Sequence, residues 1–423
     1  MGLIAQIIYD IGLHLFVLCS LPKVFYAVLI KGKYRKSFLA RLGGVGFPKI
    51  EKEGRPLIWI HAVSLGETRA VAPFVKSLKA SQLHPKVLLT TATETGYAEG
   101  ALVGADYHYF LPLDFSYIIY PIVKRVAPDV VIITESDFWP HFQNAAKEQK
   151  AKLILLNGKI SERSFRRLEK VPVFARALFS SFDLLCLQGK LYKERFLKLG
   201  FPEEKMRVTG NIKLDCEIPP SAFTREELGL SEQDLVVTLG STHSPEEGLF
   251  LKYFEELSLQ FPHLRLFIAP RHPERFGTIA KLLQRSKIPY ASFSSKQGFT
   301  EERRVILVDK MGILRSCYSL SDVAFVGGSF IKKIGGHNIL EPSFYGVPVL
   351  FGPYMHAQPD FLDLIRSHGG GIQITEKTLY PTLCSLLSDE KRRKEIGERG
   401  REVIEEGRGA IENSWEAVFS CWK

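Results

Sequence analysis

The 423-residue sequence predicts an α/β protein of two doubly wound Rossmann-like domains facing a cleft, preceded by a membrane-anchoring helix. Three observations carry this. Short, near-continuously apolar runs alternate with longer amphipathic stretches, as buried parallel strands alternate with crossover helices. The series halts once, at Glu217-Ile218-Pro219-Pro220-Ser221, a linker composition, and then resumes. The chain is also too long for one core, so two or three domains are expected.

Taken in order, Leu3 to Leu21 is mostly apolar but interrupted by Gln6, Asp10, His14 and Ser20; Pro22 and Lys23 follow, then a second apolar run from Val24 to Ile30. The length is about that of a spanning helix, which needs roughly 20 residues. The polar interruptions leave open an interfacial helix, or an ordinary amphipathic helix packed on the domain. A cleaved signal peptide fits badly, because a basic leader and a small-residue cleavage site are both missing. Residues 1–30 therefore read as a signal-anchor. The net charge is +10, yet Met1 to Ile50 carries seven basic residues against Asp10, 7 − 1 = +6, and the remainder only +4. Basic residues directly behind an apolar run suit anionic lipid and place the body in the cytoplasm. A nucleic-acid binder spreads its basic residues along a face, and is the weakest reading.

The first strand series is Leu57–Ala62, Val87–Thr91, Tyr107–Leu111, Val130–Thr134, Leu153–Leu156 and Leu184–Gln188, with helices such as Ala70–Lys79 and Phe115–Val126 between. The second is Leu235–Leu239, Leu264–Ala269, Val305–Val308, Val323–Val326 and Val347–Phe351, and Glu390 to Lys423 is helical. The expected domains are 31–217, a linker at 218–222, and 223–423, its last helix packing back on the first domain. Six cysteines without a CxxC pair indicate reduced thiols, with no disulfide framework or zinc site.

Chemistry-bearing residues gather where strands end, as ligands require in such sheets. In the second domain, Gly327-Gly328-Ser329-Phe330 and Gly335-Gly336-His337-Asn338-Ile339-Leu340-Glu341-Pro342 pair small residues, which let backbone approach an anion, with polar residues opening a helix. Gly240-Ser241-Thr242-His243, Pro270-Arg271-His272 and Lys310-Met311-Gly312 end neighbouring strands, and Arg271 has the planar fork that binds phosphate. In the first domain His61 to Thr68 places Glu67 near a helix start, where a carboxylate is favoured and can accept a hydroxyl proton. Gly66 permits a tight turn there. Thr90 to Gly96, Glu135 to Pro140 and Gly210 to Asp215 add hydroxyls, paired acids and Lys213. Each alone is equally a cap or a solvated loop. GxxxxGK[ST], GxGxxG, HExxH and two aspartates spaced as DxD are all absent. A site without a metal is expected, with Arg and Lys in its place.

These motifs, in this order, resemble the family of Kdo transferases, which add 3-deoxy-D-manno-octulosonic acid (Kdo) to lipid A precursors. The resemblance runs nearly the whole chain: Tyr34-Arg35 with Arg41, His61–Glu67, Thr91–Gly96, Glu135–Pro140, Asn157–Ser164, Gly210–Asp215, Ser241–His243, Pro270–Arg275, Met311–Gly312, Gly327–Phe330 and Gly336–Pro342. It implies a GT-B fold, with CMP-Kdo as donor held by the second domain and a lipid A precursor, lipid IV(A), as acceptor on the first. It implies Glu67 as general base and Asp137 and Lys213 as transition-state stabilisers. It places CMP at Pro270, Arg271, Met311, Gly312, Ile313, Gly328, Ser329, Asn338, Ile339, Leu340 and Glu341, and the acceptor at Ser64, Gly66, Arg69 and Glu94. No metal and no cofactor are implied. The expected enzyme is an inverting glycosyltransferase of lipopolysaccharide core synthesis, anchored to the cytoplasmic side of the inner membrane. Two departures stand out: Asp137 replaces the family's glutamate, and Asn157-Gly158-Lys159 replaces Asn-Ala-Arg. A GT-B transferase of UDP-sugars and a tethered, non-catalytic nucleotide binder are the alternatives.

Overall fold

The computed structural model describes residues 3–29, 37–43, 46–215 and 221–422. Tyr34 and Arg35, most of the basic run behind the apolar segment, and most of the linker lie outside these residues. The chain forms two compact units, Met1–Cys216 with Gly407–Lys423, and Glu217–Glu406.

Unit 1 is a seven-stranded parallel sheet. Its strands are β1 (Leu57–His61), β2 (Lys86–Thr91), β3 (Tyr107–Phe110), β4 (Val130–Thr134), β5 (Lys152–Gly158), β6 (Leu184–Leu187) and β7 (Met206–Val208), in the order β3-β2-β1-β4-β5-β6-β7. β1, β2 and β4 are buried along their whole length, because helices cover both faces. That is why their sequences are continuously apolar rather than alternating. The strand order reverses between β1 and β4, which pair in parallel with His61 opposite Ile133.

Unit 2 repeats the plan with β8 (Leu235–Thr242), β9 (Leu264–Pro270), β10 (Tyr290–Ser292), β11 (Val305–Leu307), β12 (Val323–Val326), β13 (Val349–Phe351) and β14 (Gly371–Gln373), ordered β10-β11-β9-β8-β12-β13-β14. Its reversal lies between β8 and β12. β7, β10 and β14 were not expected from the sequence. Each is a three-residue strand at a sheet edge, where one neighbour and partial exposure leave no apolar run to read.

The expected C-terminal helix is two helices. Glu390–Glu406 stays in unit 2, and the break at Gly407 to Gly409, with Gly409 at φ +90°, sends Ala410–Trp422 onto unit 1. There Trp415 meets Phe74 at 6.5 Å, and Asp215 accepts from the Gly409 and Ile411 amides at 2.7 and 2.5 Å. The free amides of the helix start explain this placement of a carboxylate.

The N-terminal run forms one helix, Leu3–Leu29, which continues across Pro22 rather than ending there. Its polar interruptions share a side. Asp10 Oδ1 lies 3.0 Å from His141 Nε2 and accepts from the Ser116 amide at 3.3 Å, and His14 Nε2 lies 3.3 Å from the Tyr117 hydroxyl. Ile7, Ile8, Ile11, Leu15, Phe16, Leu18, Phe25 and Leu29 point outward and are exposed. The helix thus docks on unit 1 through its polar stripe and presents its apolar side away from the protein.

Candidate active site

The reversal of strand order in unit 1 gathers its candidate residues. Ser64 caps the helix Leu65–Ala80, with its Oγ facing the Glu67 amide. The Glu67 carboxylate accepts from the Ser64 hydroxyl at 2.9 Å, the Val63 amide at 3.0 Å and the Thr134 hydroxyl at 2.6 Å. These hold it at the junction of β1 and β4. A carboxylate has about four acceptor positions, and these three donors fill three of them. Burial, with Glu135 repulsion second, pushes the Glu67 carboxyl above the ordinary glutamate range; the three hydrogen bonds oppose this without cancelling it. The result is a stronger base than a surface glutamate, which is what proton abstraction near neutral pH requires.

Glu135, the first residue after β4, is buried and left-handed at φ +55°. Its carboxylate is clamped by Lys159 at 2.5 Å and by Lys213. Burial alone raises its pKa, but the two ammoniums outweigh burial and hold it below the ordinary range. Lys213 is set by a frame of amides. Asn211 Oδ1 accepts from the Lys213 amide at 3.1 Å, and Asn157 Oδ1 accepts from the Ile212 amide at 3.2 Å. Gln188 bridges the two asparagines, donating to the Asn157 carbonyl and accepting from Asn211 Nδ2. Asp137 turns the other way, accepting from Trp139 Nε1 at 2.9 Å and facing the buried His61 Nε2 at 3.5 Å.

Of the sequence candidates in unit 1, Ser64, Glu67, Asp137 and Lys213 are therefore linked around the ends of β1 and β4. Arg69 is engaged in a two-pronged pair with Glu99, at 2.8 and 3.1 Å. Glu94 faces the Ser37 amide at 3.3 Å. Gly66 does not make a tight turn. It lies inside the helix, and nothing stands within 4 Å of where its side chain would be. Glu135 was expected only as one of two paired acids, and Thr134 and Lys159 were given no role; their signal lies in strand-end polarity after a fully apolar strand.

In unit 2 the ends of β11, β9, β8 and β12 stand side by side. They carry Met311 to Ile313, Pro270 with Arg271, His243, and the glycine pair respectively. The glycines have a different reason from the one expected. A Cβ on Gly327 would lie 2.6 Å from the Ser241 carbonyl, and one on Gly328 2.7 Å from Ile334. The close approach is made by the protein, not left open for a ligand. Glu246 accepts from the amides of His243, Gly328 and Phe330 at 2.9, 2.8 and 3.0 Å, so the Gly328 amide is engaged. Ser329 is fully buried, donating to Val326 and accepting from the Gly352 amide. The helix after Asn338 is a single turn, Leu340–Ser343, too short for the expected dipole effect, and Asn338 Oδ1 caps it through the Leu340 amide at 3.0 Å. Ile339 and Leu340 are buried and offer only backbone. Glu341 lies 3.9 Å from Arg315; Met311 and Arg271 are exposed, and Gly312 is left-handed. Among the described residues, no group of His, Cys, Asp and Glu is arranged to hold a metal ion.

Two parallel seven-stranded sheets, each with one reversal of strand order and helices on its faces, define a GT-B-type fold. The fold resembles UDP-GlcNAc 2-epimerase from Neisseria meningitidis, with TM-score 0.63 and 16% identity over 86% of this chain and all of that one. It also resembles a glycosyltransferase from Rickettsia africae, with TM-score 0.59 and 16% identity over 87% and 99%. The sequence is more specific. The family profile described as 3-Deoxy-D-manno-octulosonic-acid transferase (kdotransferase) matches residues 36–216. A 3-deoxy-D-manno-octulosonic acid transferase of Chlamydia muridarum is 36% identical over 405 residues, 93% of this chain and 92% of the relative. One of Haemophilus influenzae is 33% identical over 350 residues, 81% and 82% of the two chains. The chain belongs to the Kdo transferase family.

Proposed function

We propose that this protein transfers Kdo from CMP-Kdo to a lipid A precursor, lipid IV(A), with inversion and release of CMP, in lipopolysaccharide core synthesis. The observation that carries the reading is the Glu67 carboxylate, raised by burial and held by three donors. In the reaction Glu67 takes the proton of an acceptor hydroxyl as its oxygen attacks the anomeric carbon and CMP departs from the opposite face. One displacement inverts the centre. Unit 2 holds the donor, with Arg271 balancing the phosphate charge, and the backbone of Met311 to Ile313 and Asn338 to Glu341 meeting the nucleoside. Lys213 steadies developing negative charge, and Asp137 with Ser64, Gly66, Arg69 and Glu94 forms the acceptor side. Cationic side chains, not a divalent ion, carry the charge balance, so transfer is expected to persist in excess chelator.

The helix Leu3–Leu29 keeps the enzyme beside its amphiphilic acceptor. The stretch from Gln6 to Tyr26, 21 residues of mean hydropathy 1.5, is long enough to span a bilayer. Its first half, however, is tied to unit 1 through Asp10 and His14. The helix therefore lies in the cytoplasmic interface of the inner membrane with Ile8, Ile11, Leu15 and Phe16 in the acyl region. An N-terminal tag on the protein in sealed spheroplasts should resist external protease; cleavage would mean that the helix spans. The overall reading is tested by mass spectrometry of lipid IV(A) incubated with the enzyme and CMP-Kdo, and by UDP-sugars offered in parallel. Kdo addition supports it. Incorporation from a UDP-sugar, or nucleotide binding without transfer, overturns it.

A further inference from the structure

The reversal point of unit 2 holds a histidine pair that, among the described residues, is ion-paired with no carboxylate. His243, just past β8, and His337, in the segment after β12, approach Nε2 to Nε2 at 2.8 Å with rings 17° from parallel. Two ring nitrogens at that distance hold one proton between them: one donates and the other accepts. A second proton there would set two N–H groups against each other. The neighbours are cationic or engaged elsewhere. His272 packs edge-on against His243 with ring centres 5.2 Å apart, and the exposed Arg271 adds a fixed positive charge. Glu246 is occupied by three backbone amides, and Glu247 by Arg275 at 2.6 Å and Thr242 at 2.7 Å. Burial first, then mutual repulsion with His272, Arg271 and, for His243, Arg275, push both histidines down to about 4; Glu247 alone works the other way on His243. Both rings are partly exposed, so an anion can reach them.

We propose that His243 and His337 form an anion-binding pair that takes up one proton when a nucleotide phosphate arrives at the β8–β12 reversal point. The incoming negative charge replaces the missing carboxylate. It separates the two rings and accepts from both Nε2–H groups, while Arg271 and His272 close the rim. In the empty site the pair stays neutral, so the cationic cluster does not repel itself. This rests on unit 2 being the nucleotide-binding unit.

The test is calorimetric titration of the full-length protein with CMP at pH 7.5, in buffers of different ionisation enthalpy. CMP is then a dianion in solution, and its own protonation contributes little. Wild type should take up close to one proton per CMP bound, and Kd should rise by up to tenfold per pH unit between pH 7 and 8, the slope of one linked proton. H337N and H243Q, checked for folding by circular dichroism, should bind more weakly and lose most of the uptake. In wild type labelled with 15N-histidine, one ring spectrum should move to the imidazolium form on adding CMP, and the other should stay neutral with its proton on Nε2. Binding without proton uptake, or uptake that survives both substitutions, overturns the proposal and leaves the nucleotide site intact. No heat and no spectral change with CMP would instead remove the donor assignment of unit 2, and this proposal with it.

Discussion

Thr134→Val isolates the hydrogen bond that most restrains Glu67. The Thr134 hydroxyl lies 2.6 Å from Glu67 Oε2, shorter than the contacts from Val63 and Ser64, and valine keeps nearly the same shape in a fully buried position. A hydrogen bond to a charged group is worth about 1.5–3 kcal/mol. Part of it survives when the carboxyl is protonated, so a loss of about 1.5 kcal/mol from the ionised form is reasonable. At 1.36 kcal/mol per pH unit this moves a titration by about one unit. The sign follows: the bond favours the ionised form, its removal favours the protonated form, and the base becomes available only at higher pH. The acid limb of kcat/KM should therefore move up by about one pH unit. The variant should run about tenfold slower on the limb and near wild type on the plateau. The same hydroxyl stands 3.1 Å from the His61 carbonyl, so a stability loss of about 1 kcal/mol should accompany the change. An initial-rate profile with CMP-Kdo and lipid IV(A) in a constant-ionic-strength buffer reads all of this. An unmoved limb with a uniform loss across pH would refute Glu67 as the titrating base.

Three further outcomes follow. Glu135→Gln removes the repulsion on Glu67 and the clamp on Lys159 and Lys213, so the acid limb should move down, opposite to Thr134→Val, while kcat falls at least tenfold. A limb that moves up would contradict the electrostatic assignment. Gly336→Ala forces a side chain onto a residue at φ +84° and into the Met355 thioether, so it should cost about 2–5 kcal/mol in a denaturant melt. A near-neutral result would mean the glycine is kept for a ligand. Replacing Ile8 and Phe16 together by Asp should abolish binding to anionic vesicles, since each buried apolar side chain contributes about 1.5–3 kcal/mol. Retained vesicle binding would move the membrane contact elsewhere.

Much of the architecture was legible because buried parallel strands write themselves as apolar runs. The central strands of both sheets were placed within a residue or three, whereas the edge strands β7, β10 and β14 were invisible for the same reason reversed. From its own surroundings Glu67 read only as an acid near a helix start, and its expected role as base came from the family resemblance; the Ser64 cap that accompanies it is local. The partners that tune it are not local. Thr134 reaches Glu67 through the β1–β4 pairing, and Glu135 meets Lys159 through β4–β5 and Lys213 only through the further β5–β6 and β6–β7 pairings. The glycine pair was legible as special, but its reason was not. Sequence shows that a side chain is excluded, yet not whether protein or ligand excludes it. Here Ser241, Ile334 and Met355 do. Gly158, where the family pattern has alanine, is explained the same way, since a Cβ would lie 2.7 Å from Leu155. Asp137 in place of glutamate reaches Trp139 and His61, and nothing in the structure explains the shorter side chain.

The central claim is that Glu67 is the base of a Kdo transfer. The most direct measurement compares wild type and Glu67→Gln in one mixture of CMP-Kdo and lipid IV(A), following both CMP release and the mass of the lipid product. Glutamine keeps the shape and can still accept a hydrogen bond, but it cannot hold the acceptor proton. Wild type should give Kdo-bearing lipid with matching CMP release. The variant should bind CMP normally and lose transfer by a factor of at least about 100, the span of general-base catalysis. Near-normal turnover by Glu67→Gln, or lipid left unmodified by wild type, would contradict the account.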